Sequence, residues 1–131
     1  MISLAIVLLL AKLPLYFPLP PGSNLVSVEV KDDGEAEFVV PNADAPVVQH
    51  GKLWTAVVML SSVNEDAAPS LIWSKFRPTA VGAGWGPIVE KSGSPYVATL
   101  RYQNEGRDAW ASVKIFNADD IRIAIVQVVR R

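Results

Sequence analysis

The sequence predicts an all-β fold: a single antiparallel β-sandwich led by an apolar N-terminal arm or short helix. A jelly-roll-like arrangement is favoured and an immunoglobulin-like one is the alternative. Three observations carry this expectation. Apolar and polar residues alternate with period two in several segments, as half-buried strands require. Turn-forming clusters separate those segments at roughly the 8–12-residue spacing of sandwiches and barrels. No convincing amphipathic helical period occurs after residue 22.

The elements follow in order. Val26, Val28 and Val30 alternate with Ser27, Glu29 and Lys31, which reads as a strand. Asp32-Asp33-Gly34 reads as a turn, with Gly34 free to take positive φ, and Glu35 to Val40 returns as the second arm of a hairpin. Pro41 to Pro46 is a loop. Val47-Val48-Gln49 reads as a short strand broken at His50-Gly51. Leu53 to Ser62 is rich in β-branched residues and reads as a central strand covered on both faces. Leu71 to Arg77 reads as another strand, ended by Pro78, and Thr79 to Pro87 as a glycine-rich loop around Trp85. Ile88–Lys91, Tyr96–Gln103, Ala109–Phe116 and Ile121–Val129 complete the set. About eight strands result, which suits a jelly roll; about seven would suit an immunoglobulin-like sandwich.

The chain of 131 residues fits one domain. Two regions are expected: an apolar, Pro-rich arm or membrane-docking segment over residues 1–21 and the β-sandwich over 22–131. Up to residue 28 the only charge is Lys12. Four roles compete for the arm. A secretory signal wants basic residues before its apolar run and a small-x-small cleavage site after it, and neither is present. A membrane span needs about 20 apolar residues, whereas Pro14 stops a regular helix near Leu13. The segment can instead form part of the domain's own core. The favoured role is an arm on a neighbouring subunit, because Pro14, Pro18, Pro20 and Pro21 impose an extended path. Its contact residues are then Ile2, Leu4, Ile6, Leu8, Leu9, Leu13, Leu15, Tyr16 and Phe17.

Composition excludes several functions. Twelve Lys/Arg against thirteen Asp/Glu give a net charge of -1, so nothing favours nucleic acid as a main partner. The absence of cysteine excludes disulfides, thiolate nucleophiles and Cys-based metal sites. His50 is the sole histidine, sits in a turn-like Gln-His-Gly context, and has no Gly-x-Ser-x-Gly elbow to serve. Asp32-Asp33-Gly34-Glu35 and Asp119-Asp120 are acidic clusters placed where turns want Asp, without EF-hand spacing. Gly82-Ala83-Gly84-Trp85-Gly86 lacks the Lys-Ser/Thr of a phosphate-binding loop. Glu37, Glu65, Glu90 and Glu105 offer no pair selected for acid–base work. No catalytic residue, metal site or cofactor is expected.

Trp54, Trp73 and Trp110 fall within predicted strands and read as core, while Trp85, in the glycine loop, is the expected exposed contact. The combined expectation is a non-enzymatic structural subunit, foremost a virion coat or capsid-associated protein. Its partners would be copies of itself, other structural proteins and membrane lipid, at a virion or cell-surface assembly. A surface filament subunit, or a membrane-anchored carbohydrate-binding or adhesin module, is the alternative.

Overall fold

The computed structural model describes residues 17–18, 24–60, 68–93, 95–104, 106–118 and 121–131. Among these residues lie six strands and one helix: β1 Asn24–Phe38, β2 Val47–Met59, α1 Pro69–Gly82, β3 Gly86–Lys91, β4 Tyr96–Asn104, β5 Arg107–Ala118 and β6 Ile121–Arg130. The strands form one sheet in the order β1-β2-β6-β5-β4-β3, and every neighbouring pair is antiparallel. The fold is therefore mostly β, as expected. The described strands make one sheet with a helix across it, in place of the two sheets of a jelly roll.

Side-chain alternation gives the sheet two apolar faces. On the front face, Ala56 and Val58 of β2, Ala124, Val126 and Val128 of β6, and Ala109, Ala111, Val113 and Ile115 of β5 join Tyr96, Ala98 and Leu100 of β4. The helix closes this face with Ile72, Trp73, Phe76 and Ala80. The small alanines at the middle of the sheet leave room for the two large aromatics of the helix.

The helix replaces the expected strand over Leu71–Arg77. Local propensity misleads here, because Ile72, Trp73 and Phe76 are good strand formers and Pro78 reads as a stop. Pro69 occupies the first turn, where its missing N–H is harmless. Pro78 lies inside the helix and removes one backbone bond, a penalty of about 3 kcal/mol. Burial of Trp73 and Phe76, each about 1.5–3 kcal/mol or more, offsets it.

The helix ends in a Schellman motif. The Trp85 N–H donates to the Ala80 carbonyl at 3.1 Å and the Gly84 N–H to the Val81 carbonyl at 3.0 Å. Gly84 takes φ 100°, which a residue with a side chain rarely adopts. The glycine-rich stretch is thus a helix terminus, and the motif turns Trp85 back against Ala80 in the core.

β1 and β2 also differ from expectation. Asp32-Asp33-Gly34 does not reverse the chain. It forms an irregularity between Lys31 and Gly34 inside one continuous strand of 15 residues. Gly34 serves close packing: a Cβ there would lie 2.9 Å from the Leu53 Cβ. The reversal comes later, over residues 39–46, where Asn42 takes φ 61°. β2 likewise runs unbroken through His50-Gly51.

This hairpin outreaches its neighbour. β6 pairs with β2 only from Lys52 to Met59, so Val47 to Gly51 and their β1 partners project past the sheet. The projection covers part of the back face. Ala36 and Phe38 cluster with Leu53, Trp110 and Val129, and the Phe38 and Trp110 rings lie 5.8 Å apart. β3 to β6 follow the expected boundaries closely. Asn104 pairs with Arg107 and Ala118 with Ile121 at the two ends of β5.

Candidate functional site

The first named contact, Trp85, is not a surface platform. It is 1% exposed, with its ring 4.9 Å from Phe17 and 5.5 Å from Tyr102. Phe17, named as an arm contact, lies in the same place. It is 3% exposed and meets Phe76 edge-on at 6.1 Å. At residue 17, then, the N-terminal segment packs on the chain's own core. Ile2, Leu4, Ile6, Leu8, Leu9, Leu13, Leu15 and Tyr16 lie outside the described residues, as do residues 19–23 of the proline strap. No described helix is long and apolar enough to cross a membrane.

Of the other tryptophans, Trp73 and Trp110 are buried as expected. Trp54 is only partly buried. Lys52 and Arg130 stack on its ring at 5.2 Å and 5.5 Å from the centroid, so both cations already use its π-face.

The candidate chemical groups are dispersed. His50 stands on the exposed outer side of the hairpin and pairs with Asp33, while Asp32 faces Lys52 at 3.8 Å. These acids occupy the β1 irregularity and draw their partners from β2 across the ladder. Among the described residues no group of three or more His, Asp or Glu can hold a metal ion. Asp119, Asp120, Glu65 and Glu105 lie outside what is described.

One polar cluster was not foreseen. Glu90 of β3 accepts two hydrogen bonds from Arg77 of the helix, at 3.0 Å and 3.2 Å. Burial alone would raise the Glu90 carboxyl. The Arg77 hydrogen bonds and charge, the approaching Trp73 indole and the Tyr96 hydroxyl outweigh it and hold the group below its ordinary range. Tyr96 is pushed up, by burial first and then by the Glu90 charge. The Trp73 N–H approaches Glu90 without meeting strict hydrogen-bond geometry. The cluster ties the helix to the β3 edge. Its carboxylate and guanidinium pair with each other. Sequence spacing hides it, because the partners lie thirteen residues apart on different elements.

On the back face, Thr99, Ser112, Gln127 and Thr55 stand side by side across β4, β5, β6 and β2. The Thr99 and Ser112 hydroxyls are buried without a hydrogen-bond partner. Beside this row the overhanging hairpin leaves an open cleft of about 390 Å³, lined by Glu35, Ala36, Glu37, Val48, Lys114 and Gln127.

The remaining feature is the sheet's two edges. β3 is short, with 6 residues, and is guarded by Pro87 and a bulge. β1 is long and has no strand on its outer side among the described residues. Val26 and Val30 on it are 57% and 43% exposed. A long edge with exposed β-branched residues is a template for another strand. Comparison with protein-family models finds no match, and comparison with curated proteins finds no significant relative.

Proposed function

We propose that this chain is a non-enzymatic structural subunit of a larger assembly, joined to its neighbours through the β1 edge of the sheet. The observation that carries this reading is the exposure of Val26 and Val30 on β1, the longer of the two edge strands, whose regular stretch runs from Ser27 to Lys31, while β3 is short and guarded by proline. Unpaired backbone N–H and C=O groups in such a strand add main-chain hydrogen bonds to any partner strand that fits. Near-zero net charge leaves little long-range repulsion between copies.

The narrower setting we favour is a virion coat or capsid-associated role, with a surface filament as its neighbour. It now rests on the association edge and the apolar N-terminal sequence, since a jelly roll no longer supports it. Contact with membrane lipid through the apolar residues 1–16 belongs to the same proposal. The carbohydrate-binding alternative loses its named platform with the burial of Trp85.

Light scattering on the full chain in mild detergent, over a hundredfold concentration range, tests the reading. A mass that climbs to a defined multimer is expected. A monomer throughout the range would refute it.

A further inference from the structure

We propose that the outer face of α1 lies on an anionic lipid surface, beside the apolar residues 1–16. This inference rests on the membrane-contact part of the reading above and names the side of the domain that meets the bilayer.

α1 buries one side only. Ile72, Trp73, Phe76 and Ala80 turn to the sheet. At roughly 3.6 residues per turn, the opposite side carries Leu71, Ser74, Lys75, Pro78, Val81 and Gly82. All six are exposed, Leu71 at 49% and Val81 at 50%. A surface helix ordinarily turns charged and polar residues to water. Here the one charge on the outer side is Lys75, and Pro69–Gly82 contains no acid. Arg77, on the flank, is engaged by Glu90. Apolar residues around a lysine, with no carboxylate among them, suit the boundary of a bilayer. The apolar side chains dip toward the acyl chains while the ammonium stays among the headgroup phosphates.

The path of the chain favours lipid as the occupant. Phe17 packs edge-on against Phe76 of α1 and against Trp85, just past the end of the helix. Residues 1–16 therefore join the domain at the flank of α1, and Lys12 is their only charged side chain. A lipid surface that takes this sequence stands next to the outer face of the helix. A second copy fits less well. A two-fold contact centred on the stripe sets Lys75 near its own copy, with no acid on either helix to answer it. Charge also separates this face from the other exposed apolar group on the chain. Val47 and Val48 of the projecting hairpin pair across the ladder with Phe38 and Glu37, and Glu35 lies close by. Those carboxylates are repelled by anionic headgroups.

The chain has no cysteine, so one introduced cysteine places an environment-sensitive dye at a single point. Full chain carrying Ser74→Cys on α1, or Glu37→Cys on the hairpin, is labelled in mild detergent. It is then mixed with vesicles of phosphatidylcholine and phosphatidylserine as the detergent is removed. The chain should float with the vesicles. The dye at residue 74 should shift to the blue and lose quenching by iodide, and the dye at residue 37 should do neither. Leu71→Ser together with Val81→Ser, both at exposed positions, should return the residue-74 dye to its aqueous emission while the chain still floats. Vesicles of phosphatidylcholine alone should give a smaller shift, and an equal one would overturn the part given to Lys75. Floating chain with no shift at residue 74, or with a shift as large at residue 37, would overturn docking through α1 and leave membrane contact by residues 1–16 standing. Chain that does not float would overturn both, while a defined multimer by light scattering would keep the assembly reading.

Discussion

Replacing Phe17 by alanine tests whether the N-terminal segment is anchored in the domain. The ring is 3% exposed and wedged between Trp85 at 4.9 Å and Phe76 at 6.1 Å. A buried aromatic removes about 150–250 Å² from water, worth about 4–6 kcal/mol at 25 cal/mol per Å² as an upper bound. Alanine retains part of that, and the surrounding helix can settle into part of the void. Core Phe→Ala changes accordingly cost about 3–5 kcal/mol. We expect about 4 kcal/mol for Phe17→Ala, a large share of the roughly 5–15 kcal/mol that holds a domain together. Phe17→Leu keeps most of the volume and should cost about 1.5 kcal/mol or less. Urea unfolding of the full chain in mild detergent, followed by tryptophan fluorescence, measures both, since Trp85 reports directly on the site. A loss below about 1 kcal/mol for Phe17→Ala would refute the anchoring and return residue 17 to a free arm.

Three further outcomes are expected. Because Glu90 is held below its ordinary value of 4.5, its pairing with Arg77 contributes stability at neutral pH that is lost as pH falls through the lowered pKa. Arg77 is 47% exposed, so the effect is limited to about 1 kcal/mol; Glu90→Gln should flatten the acid limb of a stability–pH curve below about pH 4.5, and an unchanged limb would refute it. Gly84→Ala forces an alanine into φ 100° and sets its Cβ 2.8 Å from the Tyr102 ring, so a loss of about 2 kcal/mol is expected in thermal unfolding, and a neutral result would deny the helix terminus described above. Ser112→Ala removes a buried hydroxyl that lacks a partner and should raise stability by up to about 1 kcal/mol; a loss of that size would show the hydroxyl to be hydrogen-bonded.

The strands from Tyr96 onward were legible because period and punctuation agree there. Apolar and polar residues alternate from Ala98 to Gln103 and from Ala111 to Ile115, and polar, turn-forming residues flank both strands in the sequence. Where one signal must serve two meanings, the reading failed. Asp-Asp-Gly is good turn chemistry, but at residues 32–34 the glycine answers a packing need set by Leu53, far along the chain. The helix was invisible because its sequence favours strands locally, and the pocket formed by front-face alanines decides its state. Trp85 was misplaced for a related reason. Flanking glycines suggested exposure, whereas one of them supplies the backbone geometry that drives the ring inward. The Glu90–Arg77 tie was beyond reach, since it depends on the helix lying across β3.

The central place of β6 has a consequence for how this chain is made. β6 is the last described strand in sequence, yet it lies between β2 and β5 and is the one described strand hydrogen-bonded to both the hairpin β1–β2 and the meander β3–β4–β5. Until residues 121–130 leave the ribosome, β2 and β5 each present a bare edge rich in valine and alanine. The nascent chain is then two half-sheets waiting for a common strand, and the β2–β6 contact spans roughly half of the sequence. Such non-local closure is slow and leaves sticky intermediates. A chaperone that shields β2 until β6 has emerged would therefore raise the yield of folded protein.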